Sequence, residues 1–500
     1  MKQYFKAICA MALVLGLAYP VYAEVQNVKV SGDITARSFY KSNFDLRDAT
    51  TGDVANGNAD DTAFTASFSH VGINADLTDN VSAEVGLSNQ RLWAFEGTTA
   101  GAGDIDLYSS SITLKEFFYS PLTIRVGLQP LQFGRGFIVG NQGLLGDPSG
   151  GISSGTSALG DGGNTAAPAG TAVGSGVGFQ GAREYSMLNN YDAIRATLDF
   201  NPWTIDLIGA TVNETVKNNT DQTLWGTNVG YKFGSYNAEV EGYWFFKDDQ
   251  NWNQTLRPGP DEATGRNFEE NFVHTLGLRG NVEPISKLML NGEVAFQTGE
   301  IKDKTQDGGP ATGNYPFTRD RRAWALDVDG EYSFDTVYSP SLGLGWLYRS
   351  GEEAARKADT NGKYQAFDPM YTGRYLSAIE PFFGGFDAGN FYGTRDPNDT
   401  ASNTNRNLLH LWGSAKPLDA LKAELGWVRA WFAKAPLAGR SKQAGDEIDV
   451  NLTYNYTEDV KLGLLGAWFL PGRYYDRQTT AANRSTDTAT AIVATVSVMF

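Results

Sequence analysis

Apolar and polar side chains alternate at every second position through stretches of about ten residues, the period of a strand whose successive side chains point to opposite faces. The segment 488–500 puts Ile492, Val496, Val498 and Phe500 on one face and Thr495 and Ser497 on the other. Ile448, Val450, Leu452, Tyr454 and Tyr456 alternate with Glu447, Asp449, Asn451, Thr453 and Asn455. Leu122, Ile124, Val126 and Leu128 alternate with Thr123, Arg125, Gly127 and Gln129. A soluble sandwich turns such apolar faces into one shared core. A barrel in lipid inverts the arrangement, apolar outward and polar into the lumen.

Eighteen such stretches begin near 28, 63, 81, 105, 122, 190, 203, 223, 237, 271, 288, 321, 341, 407, 421, 447, 460 and 488. Short connections such as Asn201-Pro202, Gly234–Tyr236 and Thr457–Val460 take turns with long ones, notably 132–189, 247–270, 299–320 and 350–406. Tight turns on one side and long loops on the other are the habit of antiparallel strands crossing the outer membrane. The two kinds stay in step, so an even strand number with both ends periplasmic is expected. The predicted fold is all-β: a single transmembrane antiparallel barrel of about eighteen strands over residues 24–500. At that number side chains alone do not fill the interior, and an aqueous channel is expected. Trp203, Trp225, Phe233, Trp346 and Trp468 fall where interfacial girdles are predicted.

Two long connections differ in kind. The stretch Gly146–Ala182 within 132–189 is rich in Gly, Ser and Ala and carries only Asp147 and Asp161 as charges. It cannot build a core of its own, which leaves a constriction folded into the pore or a mobile external loop. The 350–406 loop carries Phe367-Asp-Pro-Met370, Phe382-Phe383 and Phe391-Tyr392, aromatics that predict packing on itself or on the barrel rim.

Composition narrows the field. The average residue of the 500 is polar, unlike a helical membrane bundle. Residues 1–23 read as a cleaved secretory signal peptide: Lys2 and Lys6, an apolar run from Ala7 to Ala18, then Val21-Tyr22-Ala23. The one cysteine, Cys9, lies in that segment, so the mature chain is expected to lack disulfides, thiolate metal sites and a thiol nucleophile. A formal charge of −16 argues against nucleic-acid binding. Much of the acid sits in loops, Asp53–Asp61 and Asp359–Asp399, as a solubilising surface or a place for bridging cations.

Alternation sorts the remaining charges. Arg37, Arg125, Arg195, Arg279 and Arg349 fall on inward faces, as do Asp199, Glu241, Glu293, Asp327 and Asp329. Pore-lining charge selects ions when field lines focus between low-dielectric walls, and it also pairs to hold a wall together. Arg135, Arg183 and Arg473 are candidates for solute contact at the rim or in the loops. No zinc-ligand spacing or phosphate loop is found, and the three histidines, His70, His274 and His410, have no nucleophile motif beside them. No enzymatic activity, metal or cofactor is predicted.

The segment Gly445-Asp-Glu-Ile-Asp449 onward through Trp468-Phe-Leu-Pro471-Gly472-Arg473-Tyr474-Tyr475 resembles the C-terminal hairpin of the alginate-export family of bacterial outer-membrane barrels. Arg125-Val-Gly-Leu-Gln-Pro-Leu-Gln-Phe-Gly134-Arg135-Gly136 and Phe367-Asp-Pro-Met370 resemble other pieces of it. The resemblance implies an eighteen-stranded, porin-like channel, in some members carrying an anionic polysaccharide through an arginine-rich lumen. Here the inward faces carry both signs. The expectation is therefore passive passage of a hydrophilic solute, tilted toward a polysaccharide or oligosaccharide. The alternative is a barrel sheath around a periplasmic partner such as an electron-carrying haem protein. Expected partners are outer-membrane lipid, the solute, and the outer-membrane insertion machinery through the strand ending at Phe500.

Overall fold

The computed structural model describes residues 27–43, 61–93, 105–119, 121–140, 190–213, 222–249, 271–303, 317–352, 363–379, 404–435, 441–475 and 487–500. The signal segment, Arg183, the acidic stretch 53–60, the whole Gly-rich stretch 146–182, and Phe382-Phe383 and Phe391-Tyr392 lie outside these residues.

Eighteen antiparallel strands close on themselves. They are β1 (Asn27–Ser42), β2 (Asp61–Thr78), β3 (Val81–Leu92), β4 (Asp106–Leu114), β5 (Leu122–Gln129) and β6 (Tyr191–Asp199). Then come β7 (Trp203–Asn213), β8 (Gln222–Lys232), β9 (Glu239–Asp249), β10 (Asn271–Ile285), β11 (Leu288–Asp303) and β12 (Phe317–Ser333). The last are β13 (Ser341–Arg349), β14 (Arg406–Leu418), β15 (Leu421–Phe432), β16 (Gln443–Asn455), β17 (Val460–Pro471) and β18 (Ala489–Met499). Each strand pairs with its sequence neighbours, and β1 pairs with β18 from Asp33↔Met499 to Ser42↔Thr490. Closure leaves no strand edge to be satisfied in hydrocarbon. Phe500 extends the seam, its N–H donating to the Gly32 carbonyl at 3.0 Å while Gly32 N–H donates to the Phe500 carbonyl at 2.8 Å.

The period-two pattern lands as expected. Leu276, Leu278, Leu342, Leu344, Trp346, Leu464, Ile492 and Val496 are exposed on the outer wall, where lipid would cover them. Trp203, Trp225 and Phe233 are outward as well. Arg429, on the outward phase of β15, is held by Asp446 with both carboxylate oxygens at 3.1 Å from Nη1 and lies over Trp431, which shields a charge near the outer end of the wall.

The interior differs from the plain aqueous channel expected. Residues 131–140, which follow β5, and residues 363–379, between β13 and β14, fold into the lumen. Leu131, Phe137, Val139, Phe367, Met370 and Ile379 are all at most 1 % exposed. They pack against inward faces that are small where they meet them: Ala193, Ala295, Ala325, Ala430, Ala467 and Ala491. The described part of the 350–406 loop bonds to itself through Ser350, Glu352 and Gln365 and to the outer end of β12 through Tyr364, and it also enters the barrel. Its aromatics find burial inside the barrel because alanines there leave room that a wide barrel cannot otherwise fill.

Candidate functional site: the strapped lumen

The two inward segments form a strap joined by main chain. Val139 and Tyr371 form a parallel bridge. Gly140 N–H donates to Tyr371 O at 2.9 Å, Tyr371 N–H to Ile138 O at 2.9 Å, and Gly373 N–H to Gly136 O at 2.7 Å. The approach requires glycines: Gly136 adopts φ +74°, and a Cβ on Gly140 would sit 2.9 Å from the Gly373 nitrogen. Phe137 stacks on Phe367 with centroids 6.3 Å apart. The Arg125–Gly136 and Phe367–Met370 fragments, far apart in sequence, thus run into one another inside the barrel.

Side chains of the wall fasten the strap. Lys247 on β9 pairs with Asp368 at 3.2 Å, both nearly fully buried. Gln297 on β11 donates to the Asp368 carbonyl at 2.6 Å and accepts the Asp368 N–H at 2.8 Å. Arg321 on β12 donates to the Ala366 carbonyl at 2.9 Å, and Arg349 on β13 to Thr372 Oγ1 at 2.9 Å. On β16 the carboxylates of Asp449 and Glu447 accept the N–H groups of Ala378 at 3.1 Å and Ile379 at 3.0 Å. Burial pushes the Asp368 carboxyl up, but Lys247, Arg321 and the Met370 N–H outweigh it and hold it below the usual aspartate range.

One carboxylate pair serves both halves of the strap. Asp327 and Asp329 stand two residues apart on the inward face of β12. Arg374 forks across them, Nε to Asp327 at 2.8 Å and Nη2 to Asp329 at 3.1 Å. Arg135 reaches the same pair from the other segment, bound to Asp329 and 4.0 Å from Asp327. Arg135 is thus inside the lumen and not at the rim where the sequence places it. Arg473 is exposed beyond Pro471-Gly472.

Three other lumen arginines, Arg125, Arg195 and Arg279, are each opposed by an acid. Arg125 and Arg195 face one another in register between β5 and β6, an unfavourable pairing by itself. Each is neutralised from its other side, Arg125 by Glu84 at 2.6 Å and Arg195 by Asp206 at 2.7 Å. Arg279 pairs with Glu241, which also accepts from Asn228 at 2.7 Å, and its guanidinium packs against Gly134 of the strap. Glu293 accepts the Tyr243 hydroxyl at 2.7 Å. Arg37 lies over the Phe68 ring at 5.2 Å, and Arg349 is buried over Phe137 at 5.2 Å. Asp199 is exposed at the periplasmic end of β6 and accepts the Asn201 N–H of the turn at 3.1 Å.

Between the strap and the periplasmic end lies a cavity of about 610 Å³, bordered by Arg135, Arg374, Asp329, Glu331, Trp412 and Glu424 among others. Sequence reasoning passed over Arg374, Lys247 and Trp412. Lys247 and Trp412 do carry the inward phase of β9 and β14, a readable signal. Arg374 sits on a connection, where alternation is silent. His410 is also inward on β14 and stacks on Trp412 at 4.7 Å.

The family model for alginate export matches residues 182–488, more than half of the chain. The chain belongs to the alginate export family. A search of curated proteins finds no match. Among solved structures, OpdQ of Pseudomonas aeruginosa is similar at TM-score 0.50 and 11% identity, over 96% of this chain and 99% of that one. OccAB1 of Acinetobacter baumannii gives 0.49 and 12%, over 96% and 99%. OmpT, an outer membrane protein of Vibrio cholerae, gives 0.41 and 10%, over 96% and 100%. At such identities the likeness is one of fold. With the closed eighteen-stranded barrel, family membership places this alginate-export protein as an integral β-barrel channel of the outer membrane.

Proposed function

We propose that this barrel passes hydrophilic solutes passively, with oligosaccharides or a polysaccharide as the class of cargo, through a lumen narrowed by the strap. The observation that carries the reading is an ion-paired inner wall beside an open cavity of about 610 Å³ under the strap. Paired charge offers hydrogen bonds to hydroxyl groups without holding a small ion tightly, and a path must release what it admits. A sheath for a periplasmic protein is less suited to this lumen. The strap occupies the space such a partner would need, and its contacts with β9, β11, β12, β13 and β16 cross the interior. No catalytic step is assigned.

The test is reconstitution. In planar bilayers the purified protein is expected to carry ionic current, and proteoliposomes are expected to swell in neutral di- to hexasaccharides at rates falling with size. Folded protein that carries no current and admits no sugar would end the proposal.

A further inference from the structure

Trp412 is an indole on the wet face of β14, which carries no other Trp, Tyr or Phe. The wall is built around it. Its cross-strand partner is Gly343, and any Cβ there would fall within the indole; a Cβ on Gly345 would lie 3.3 Å from Cζ3. Two glycines on one inward face of β13 thus keep the space that the ring occupies. Glu331 fixes its edge, accepting the indole N–H at 2.9 Å, and His410 stacks beside it with planes 26° apart. Gly426, the partner of Trp412 on β15, leaves room for His410 in turn, a Cβ there lying 3.3 Å from Nε2. The remaining surface of the ring borders the cavity. A rigid aromatic among planar amides and carboxylates is the surface that takes a pyranose: the apolar C–H face of the sugar lies on the ring while its hydroxyls reach the polar rim.

The rim is present. Asn291 donates to Asp329 at 2.9 Å and Asn451 donates to Glu424 at 3.0 Å, which leaves oriented amide and carboxylate atoms along the cavity. Its charge is also informative. Four carboxylates (Asp329, Glu331, Glu424 and Asp449) border the cavity against two guanidiniums (Arg135 and Arg374); Glu424 is paired with Lys422 at 2.5 Å, and both guanidiniums are engaged by Asp327 and Asp329. A polyanion meets net repulsion here.

We infer that the cavity under the strap is a binding subsite for a neutral pyranose ring, with Trp412 as its platform. The inference rests on the channel reading above and deepens it: neutral oligosaccharide is the preferred cargo at this point, and a uronate polymer is disfavoured.

The experiment is single-channel recording with maltohexaose, a neutral linear glucan, added on the side of the short turns, and with a uronate oligomer of equal length. Wild-type channels are expected to show concentration-dependent block by maltohexaose. Trp412→Ala should shorten the block about tenfold, a typical worth for one well-placed aromatic contact, while Trp412→Phe retains most of it. Gly343→Ala, which displaces the indole without removing it, should weaken the block in the same direction and serves if Trp412→Ala does not assemble. The uronate oligomer should block less. Equal residence in wild type and in the assembled Trp412 and Gly343 variants overturns the subsite, as does tighter block by the uronate. Wild-type barrels with no ionic current overturn the channel reading itself.

Discussion

Replacing Arg374 by alanine removes the fork that ties residues 363–379 to β12. The guanidinium is 18 % exposed and its partners Asp327 and Asp329 are 2 % and 6 % exposed, so water replaces little of the interaction. Removing one partner of a buried pair costs about 3–5 kcal/mol when the other is left alone. Here Arg135 still faces both carboxylates, which lowers the expected cost of undocking control to about 2–3 kcal/mol. The undocked population of the strap should then rise roughly 30- to 150-fold. The chain offers a direct reporter, because its one cysteine is Cys9, within the expected signal peptide. Leu376→Cys places a thiol two residues from the fork at a position 6 % exposed. Labelling by a membrane-impermeant maleimide is then slow in the docked state and proportional to the open fraction. Adding Arg374→Ala should accelerate labelling by that factor and raise mean conductance. Arg135→Ala/Arg374→Ala should exceed the sum of the single effects, since it alone leaves two carboxylates unopposed. Unchanged labelling in Arg374→Ala would refute the view that this ion pair holds the strap.

Asp368, whose folded-state pKa is depressed, stabilises the strap above the ordinary aspartate value and loses that contribution as pH falls through the lower folded value. Labelling of Leu376→Cys should therefore rise as pH falls below the ordinary aspartate range, with a smaller rise there in Asp368→Asn. Phe137→Ala empties a site that is fully buried against Phe367 and Arg349 and should lower strap stability by about 3–5 kcal/mol, read as labelling with the barrel still heat-modifiable. Arg195→Ala leaves Asp206 without its partner and Arg125 without a facing like charge, so reversal potentials should move toward cation preference; no movement there or in Arg279→Ala would remove these arginines from ion selection.

The barrel was legible because lipid and water impose one period on every strand. All eighteen segments start within four residues of where alternation puts them, the largest gaps being β12 at Phe317 and β16 at Gln443. Those two strands run on above the membrane, where outward residues such as Asp320, Arg322 and Asp446 no longer need to be apolar and the pattern fades. The strap was hidden for the opposite reason. Its residues follow no period, since each is placed by a different strand: Asp368 by Lys247, Arg374 by Asp327 and Asp329, Ile379 by Glu447. A hint did exist in the alanines on inward faces at the same height, which make little sense in a wall facing only water.

That hidden layer changes how the charge of such a lumen must be counted. Alternation along β12 alone shows Asp327 and Asp329 as an acidic patch in an aqueous path. In the folded chain they are the buried seat of two arginines contributed by connections. What a passing solute meets is thus set by the residues below the strap, Glu331, Trp412, Glu424 and Asn451, more than by the charges that the strap has already neutralised. An exporter of a uronate polymer needs cations left over for its cargo, because each transient contact must be made and broken with a mobile partner. Arg125, Arg195, Arg279, Arg374 and Arg135 have their partners built in at Glu84, Asp206, Glu241, Asp327 and Asp329. Membership of the alginate export family goes with the barrel, while the neutral cargo proposed above rests on the wall residues of this chain alone.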